Sequence, residues 1–182
     1  GKLDDADCAP DLHAHLDVLP QALHSALGEP ELPAHTAAGL YVAAVREVLE
    51  ECGVLYARLH DSLAHDAEQR QQWQQALHGG QSFGDVLQSA GLRVDTQHLA
   101  PWSRWITPVQ PSVTNKRFDT RFFMAVLPAG QHPIHDNIEA IDSVWLSPRE
   151  ALDRYWAGGL PLAPPQIMTL VSLLSHTCTA SV

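Results

Sequence analysis

Ala43-Ala44-Val45-Arg46-Glu47-Val48-Leu49-Glu50-Glu51-Cys52-Gly53-Val54 is the stretch whose reading decides the fold. Its spacing predicts the last three turns of a helix, stopped by Gly53 in the left-handed C-terminal cap that favours glycine. At about 100° per residue, Tyr41, Val45, Val48, Leu49 and Cys52 share one apolar arc. Glu47, Glu50 and Glu51 project from the other side, because residues three and four apart on a helix are neighbours. Ala43 precedes Glu47 by one turn on that acidic side, where its small side chain leaves room for an approaching group.

Three carboxylates on one short face repel one another unless something positive sits between them. Arg46 can pair with Glu50 at i,i+4, but it cannot neutralise all three. A hard divalent cation such as Mg²⁺ or Mn²⁺ can, since it takes oxygen ligands and keeps waters and substrate phosphates in its shell. A solvated charged face is the plain alternative for a bare E-x-x-E-E. The whole string, however, fits R-E-U-x-E-E-x-G-U, with U aliphatic. It resembles the second half of the box that defines the Nudix hydrolases.

The family pattern is G-x5-E-x7-R-E-U-x-E-E-x-G-U. Gly1 and Asp7 stand with five residues between them, so an aspartate falls at the first glutamate position. The spacer from there to Arg46 is about thirty residues longer than the pattern allows. The box therefore reads as split by an insertion over residues 8–35. Leu12, Leu16, Leu19 and Leu23 with Pro20 predict one or two short helices there. His13, His15 and His24 lack a third placed ligand and read as solvent-facing. The box helix is expected to begin near Thr36, acting as N-cap.

After Gly53, Val54-Leu55-Tyr56-Ala57-Arg58-Leu59 is β-permissive and predicts a strand. Residues 60–92 read as a helical insertion without assigned chemistry: a glutamine-rich helix over 64–78 ended by Gly79-Gly80, then one over 83–90 capped by Ser82 and stopped by Gly91. Leu99 to Pro108 is strand-like. Residues 117–127 make the strongest strand pattern, with Arg117, Asp119 and Arg121 on one face. Guanidinium forks suit phosphate oxygens, so Arg117 and Arg121 are phosphate candidates, against an Arg-Asp-Arg ladder that only stabilises the sheet. Val144-Trp145-Leu146 predicts a short strand. Ser147-Pro148 opens a helix as cap and first residue, and a last helix is expected over about 166–176.

The 182 residues suit one domain, residues 1–182, with insertions. A formal net charge of −10 argues against binding a nucleic-acid backbone, which needs a basic stripe. Cys8, Cys52 and Cys178 are widely separated and read as reduced thiols of a cytoplasmic protein. No apolar run reaches the about 18 residues of a membrane span, and the start has no signal-peptide pattern.

The resemblance extends beyond the box. Trp105-Ile106-Thr107-Pro108, Arg117-Phe118-Asp119-Thr120-Arg121-Phe122-Phe123, Trp145-Leu146-Ser147-Pro148 and Leu162-Ala163-Pro164-Pro165 follow in order. They resemble the Nudix branch that includes the peroxisomal coenzyme A diphosphatase of mammalian kidney and many bacterial relatives. That resemblance implies an α/β fold, an α/β/α sandwich with a mixed β-sheet. It also implies an enzyme that hydrolyses the diphosphate bond of a nucleoside diphosphate linked to another group, with coenzyme A or acyl-coenzyme A as one candidate.

On the family mechanism Glu47, Glu50 and Glu51 hold Mg²⁺ or Mn²⁺, and Arg46 orients them rather than touching substrate. The general base is one of these glutamates or Glu139, with Asp136 behind it. The alternative is a non-catalytic Nudix-fold binding or regulatory module, for which Asp7 in place of glutamate is the one mark in favour. A Nudix domain has at least one strand before its box glycine. The expectation is therefore that N-terminal strands are missing here and that a homodimer or a complementing N-terminal segment fills the gap.

Overall fold

The computed structural model describes residues 2–59, 66–108, 117–135 and 142–176, and the chain divides into two compact units, Gly1–Trp102 with Phe123–Asp142 and Ser103–Phe122 with Ser143–Val182. In the first unit a 3₁₀ turn, Asp5–Cys8, precedes α1 (Pro10–His13) and α2 (Pro20–Leu27). The long helix α3, Ala34–Cys52, follows. β1 (Ala57–Leu59), α4 (Ala67–His78), α5 (Phe83–Ala90) and β2 (Leu92–Val94) come next.

The box helix starts earlier than Thr36: Pro33 occupies the N-cap in extended backbone, with no side-chain cap. Its end matches expectation, for Gly53 adopts φ 64° and its N–H returns to the Leu49 carbonyl. Tyr41, Val45 and Leu49 are fully buried and join Leu55, Leu87, Leu92 and Val94 in one core. The Tyr41 ring meets Phe123 at 4.8 Å between centroids. The room expected at Ala43 is closed, since that residue is 7% exposed. One turn earlier, a Cβ on Gly39 would lie 2.5 Å from Cys8 Sγ. Small residues on this face thus admit the 3₁₀ turn of the chain itself.

Of the strand expected over 54–59, Ala57–Leu59 is strand, antiparallel to β2 in the register Ala57↔Val94 and Leu59↔Leu92, and the Asp95 N–H also donates to the Tyr56 carbonyl at 2.9 Å. On its other side β2 meets Leu16 in a parallel bridge, closed by Val94 N–H to the His15 carbonyl and Asp17 N–H to the Val94 carbonyl. Parallel and antiparallel neighbours of one strand give the mixed pairing of an α/β fold. The segment around Leu16 is therefore stitched to β2. Its histidines are not simply solvent-facing: His13, His15 and His24 are half-buried and bond the carbonyls of Asp7, Leu92 and Glu29.

In the 60–92 insertion α4 begins at Ala67, with the Asp66 side chain accepting from Glu68 N–H. Ser82 Oγ accepts from Asp85 N–H to cap α5, and Gly91 ends it at φ 65°. β3 (Leu99–Ile106) pairs with β4 (Asp119–Ala125), and residues of this ribbon belong to both units. In the second unit α6, Pro148–Trp156, is capped by Ser147 as expected. α7, Pro164–Leu173, packs on it and starts and ends earlier than the expected 166–176. Residues 144–146 form no strand; Trp145 is 76% exposed in irregular backbone. No described helix is long and apolar enough to cross a membrane.

Candidate active site

Arg46 is the hub of the carboxylate face. A guanidinium presents five donors in a rigid fork, and burying it is tolerable only if most are paired. Arg46 is 8% exposed. Its Nε and Nη2 donate to the two carboxylate oxygens of Asp7, each at 3.0 Å. Nη1 donates to Glu50 Oε2 at 2.8 Å and lies 2.9 Å from Glu47 Oε1. Nη2 also donates to the Lys2 carbonyl at 2.8 Å. The Lys2 N–H in turn donates to Glu47 Oε1 at 3.0 Å, and Asp4 N–H donates to Asp7 Oδ2 at 2.9 Å.

Asp7 is 1% exposed and is held by Arg46 across 39 residues of sequence. Arg46 and Asp7, expected to stand in the two halves of a split box, are thus in direct contact. Burial alone would lower the Arg46 guanidinium; the hydrogen bonds and charge of Asp7, then the charges of Glu50 and Glu47, outweigh this and raise it. Burial pushes the Glu50 carboxyl above its ordinary value, with Arg46 opposing and the Glu47 charge adding to the rise.

Past Glu50 the helix runs out of internal partners for its last carbonyls. Gln74 Nε2 and His78 Nε2 bond the Glu50 carbonyl at 2.9 and 3.1 Å. The buried Arg70 Nε donates to the Gly53 carbonyl at 3.2 Å, a cation where the helix dipole is negative. Ile134 N–H donates to the Cys52 carbonyl at 2.9 Å. Gln131, 2% exposed, donates to the Leu55 carbonyl and accepts from the Leu55 N–H, both at 2.9 Å, as a neighbouring strand would. An open cavity of about 460 Å³ lies between Cys52–Gly53, α4 and the segment from His132 to His135.

Of the residues singled out in the sequence, Arg46, Glu47 and Glu50 come together, joined by Asp7. Glu51 follows on the same helix, half-buried. Glu139 and Asp136 lie outside the described residues. Among those described, no three His, Cys, Asp or Glu side chains are gathered as a group able to hold a metal ion. Arg121 Nη1 lies 2.9 Å from Asp119 Oδ2, and Arg104 completes a bidentate pair with Asp119 at 2.8 Å. Arg117 precedes β4, and its Nε donates to the Thr107 carbonyl at 3.2 Å. Asp119 is thus flanked by Arg121 and, from β3, by Arg104 rather than by Arg117.

Sequence reading missed Gln131, Arg70, Gln74 and His78. A glutamine in a loop carries no local pattern, and the α4 residues matter through a helix end remote in sequence.

The NUDT19 Nudix domain model matches residues 9–173, so its match begins after Asp7. An acyl-coenzyme A diphosphatase NUDT19 of Xenopus laevis is 30% identical over 148 residues, 74% of this chain and 39% of that protein. The protein of the same name in Homo sapiens is 32% identical over 136 residues, 69% of this chain and 36% of that protein. The chain thus spans about two fifths of the length of these curated relatives. A crystal structure of a Nudix hydrolase from Alicyclobacillus acidocaldarius is 24% identical, with a TM-score of 0.74 over 100% of this chain and 76% of that one.

Proposed function

We propose that this chain, which belongs to the NUDT19 Nudix domain family, hydrolyses the diphosphate bond of a nucleoside diphosphate linked to another group, with coenzyme A or acyl-coenzyme A as substrate class. The observation that carries this is the convergence of Asp7, Glu47 and Glu50 on the buried Arg46. The single guanidinium faces four carboxylates, counting Asp4 at 3.7 Å. The donors are carboxylate oxygens, and Glu50 is already raised by burial and by Glu47. The donor type therefore fits a hard divalent cation, which Glu47, Glu50 and Glu51 would hold.

Mg²⁺ or Mn²⁺ bound there supplies neutralisation of the diphosphate charge and an acidified water for in-line attack. Arg46 holds Glu47 and Glu50 together through its Nη1 and does not need to reach substrate. Asp7 holds that guanidinium in place. One of the box glutamates or Glu139 takes the proton from water. Cys8 and Cys52 as free thiols favour a cytoplasmic setting.

The test is cleavage of coenzyme A, ADP-ribose, NADH and diadenosine polyphosphates with Mg²⁺ or Mn²⁺. Coenzyme A is expected to yield a phosphopantetheine and an adenosine bisphosphate. Glu51→Gln should cut turnover by about a hundredfold or more, the loss typical of a removed charge-stabilising group. Cleavage of ADP-ribose without coenzyme A rejects the substrate class. Cleavage of none, with either metal, makes the chain a Nudix-fold binding module.

A further inference from the structure

We propose that the cavity at the C-terminal end of α3 receives the nucleobase of the substrate, a purine, on the amides of the inserted helix α4. The proposal rests on the diphosphate reading and divides the substrate between the side and the end of one helix. The cavity volume of about 460 Å³ lies in the range that holds small ligands. Cys52 and Gly53 line it, immediately after Glu50 and Glu51. Gln74 and His78, also lining it, grip the Glu50 carbonyl itself. A substrate with its diphosphate on the carboxylate face is thus within one or two residues of this cavity along α3.

Charge selects which end of the substrate enters. The C-terminus of a helix carries the negative end of its dipole. Glu68 adds a carboxylate to the wall, while Arg70 directs its Nε to the Gly53 carbonyl. With one carboxylate and one guanidinium in a lining whose other polar side chains are amides and imidazoles, a neutral, flat, hydrogen-bonding group is favoured.

The polar groups match such a group. Gln71 and Gln75 stand four apart on α4 and face the cavity together. Each amide offers a donor beside an acceptor, the pair that reads the N6 and N7 edge of adenine. The Nδ1 of His135 is buried and has no hydrogen-bond partner among the described residues. The imidazoles of His132 and His135 add planes on which a base stacks. The backbone carrying them is tied down by Gln131 to Leu55 and by Ile134 to Cys52, so the wall is preformed.

The experiment uses adenosine, which has no phosphate and needs no metal, titrated calorimetrically into the wild-type chain and into Gln71→Ala/Gln75→Ala. Both glutamines are exposed, and alanine favours the helix, so the variant keeps its fold. Adenosine is expected to bind the wild type and to lose about tenfold or more in affinity in the variant, the worth of one good amide–base pair. In parallel, the coenzyme A KM should rise by a similar factor with kcat within about twofold, the mark of uniform binding lost. Adenosine that fails to bind the wild type, or binds both equally, overturns the proposal. Because adenosine binding is read without turnover, a chain that hydrolyses nothing still tests the pocket, and a chain that hydrolyses coenzyme A with unchanged KM in the variant refutes the pocket alone.

Discussion

Asp7→Asn isolates the buried contact between Asp7 and Arg46. The replacement keeps the shape and removes the charge. One oxygen can still accept from Arg46, but the new amide nitrogen presents a donor to a donor, where the carboxylate made two bonds of 3.0 Å. The Asp4 N–H also bonds Asp7 Oδ2 and faces the same conflict in one amide orientation. Breaking a buried ion pair by removing one partner costs about 3–5 kcal/mol. Arg46 retains Glu47 and Glu50, so the lower end, about 3 kcal/mol, is expected. At about 2–4 °C per kcal/mol for a chain of this size, the melting temperature should fall by about 6–12 °C. Urea unfolding at pH 7 measures it, with Asp11→Asn, an exposed neighbour, expected to shift stability by less than about 0.5 kcal/mol. A loss below about 1 kcal/mol for Asp7→Asn, the value of a surface pair, would refute the idea that Asp7 anchors the site.

Two further outcomes follow from the same geometry. Because the folded Glu50 carboxyl is raised, the native state binds its proton more tightly than the unfolded chain does, so stability falls as pH rises from the unfolded to the folded value and stays reduced above it. Glu50→Gln in EDTA should therefore be at least as stable as wild type at pH 7, with the advantage shrinking as pH falls through the carboxylate range; urea midpoints across pH check it, and a variant less stable at pH 7 contradicts it. Gln131→Ala leaves the buried N–H and carbonyl of Leu55 unpaired, at about 1–3 kcal/mol for each buried group. Faster hydrogen exchange at the Leu55 amide should accompany the loss, and unchanged exchange would mean water replaces the side chain.

The core of α3 was legible because it rests on local rules. Helical spacing set Tyr41, Val45 and Leu49 inward, and Gly53 marked the stop through its left-handed backbone. The i,i+4 rule gave the Arg46–Glu50 pair. Caps were equally readable at Ser82 and Ser147, where a hydroxyl precedes a helix by the right interval. The N-terminus of α3 misled, because Thr36 has capping chemistry but Pro33 has the extended backbone that starts the helix. Residues 54–59 misled differently: β-propensity at Leu55 is real, yet its backbone is paired by the side chain of Gln131 rather than by a strand. Nothing local announces a partner 76 residues away.

The end of α3 explains how α4 comes to line the cavity. A helix leaves its last carbonyls without internal partners, and those of Glu50, Cys52 and Gly53 sit beside carboxylates that already repel one another. Water could satisfy these carbonyls, but water would not fix the direction in which the chain leaves the helix. Gln74, His78 and Arg70 satisfy two of them from α4, and Ile134 satisfies the third from the loop. Both walls of the cavity are therefore defined by bonds to the helix that carries Glu47, Glu50 and Glu51. The same three carbonyls at the end of the carboxylate helix thus tie its charged face to the polar cavity beside it, the arrangement that the proposed diphosphate substrate, with an organic group on one side, would use.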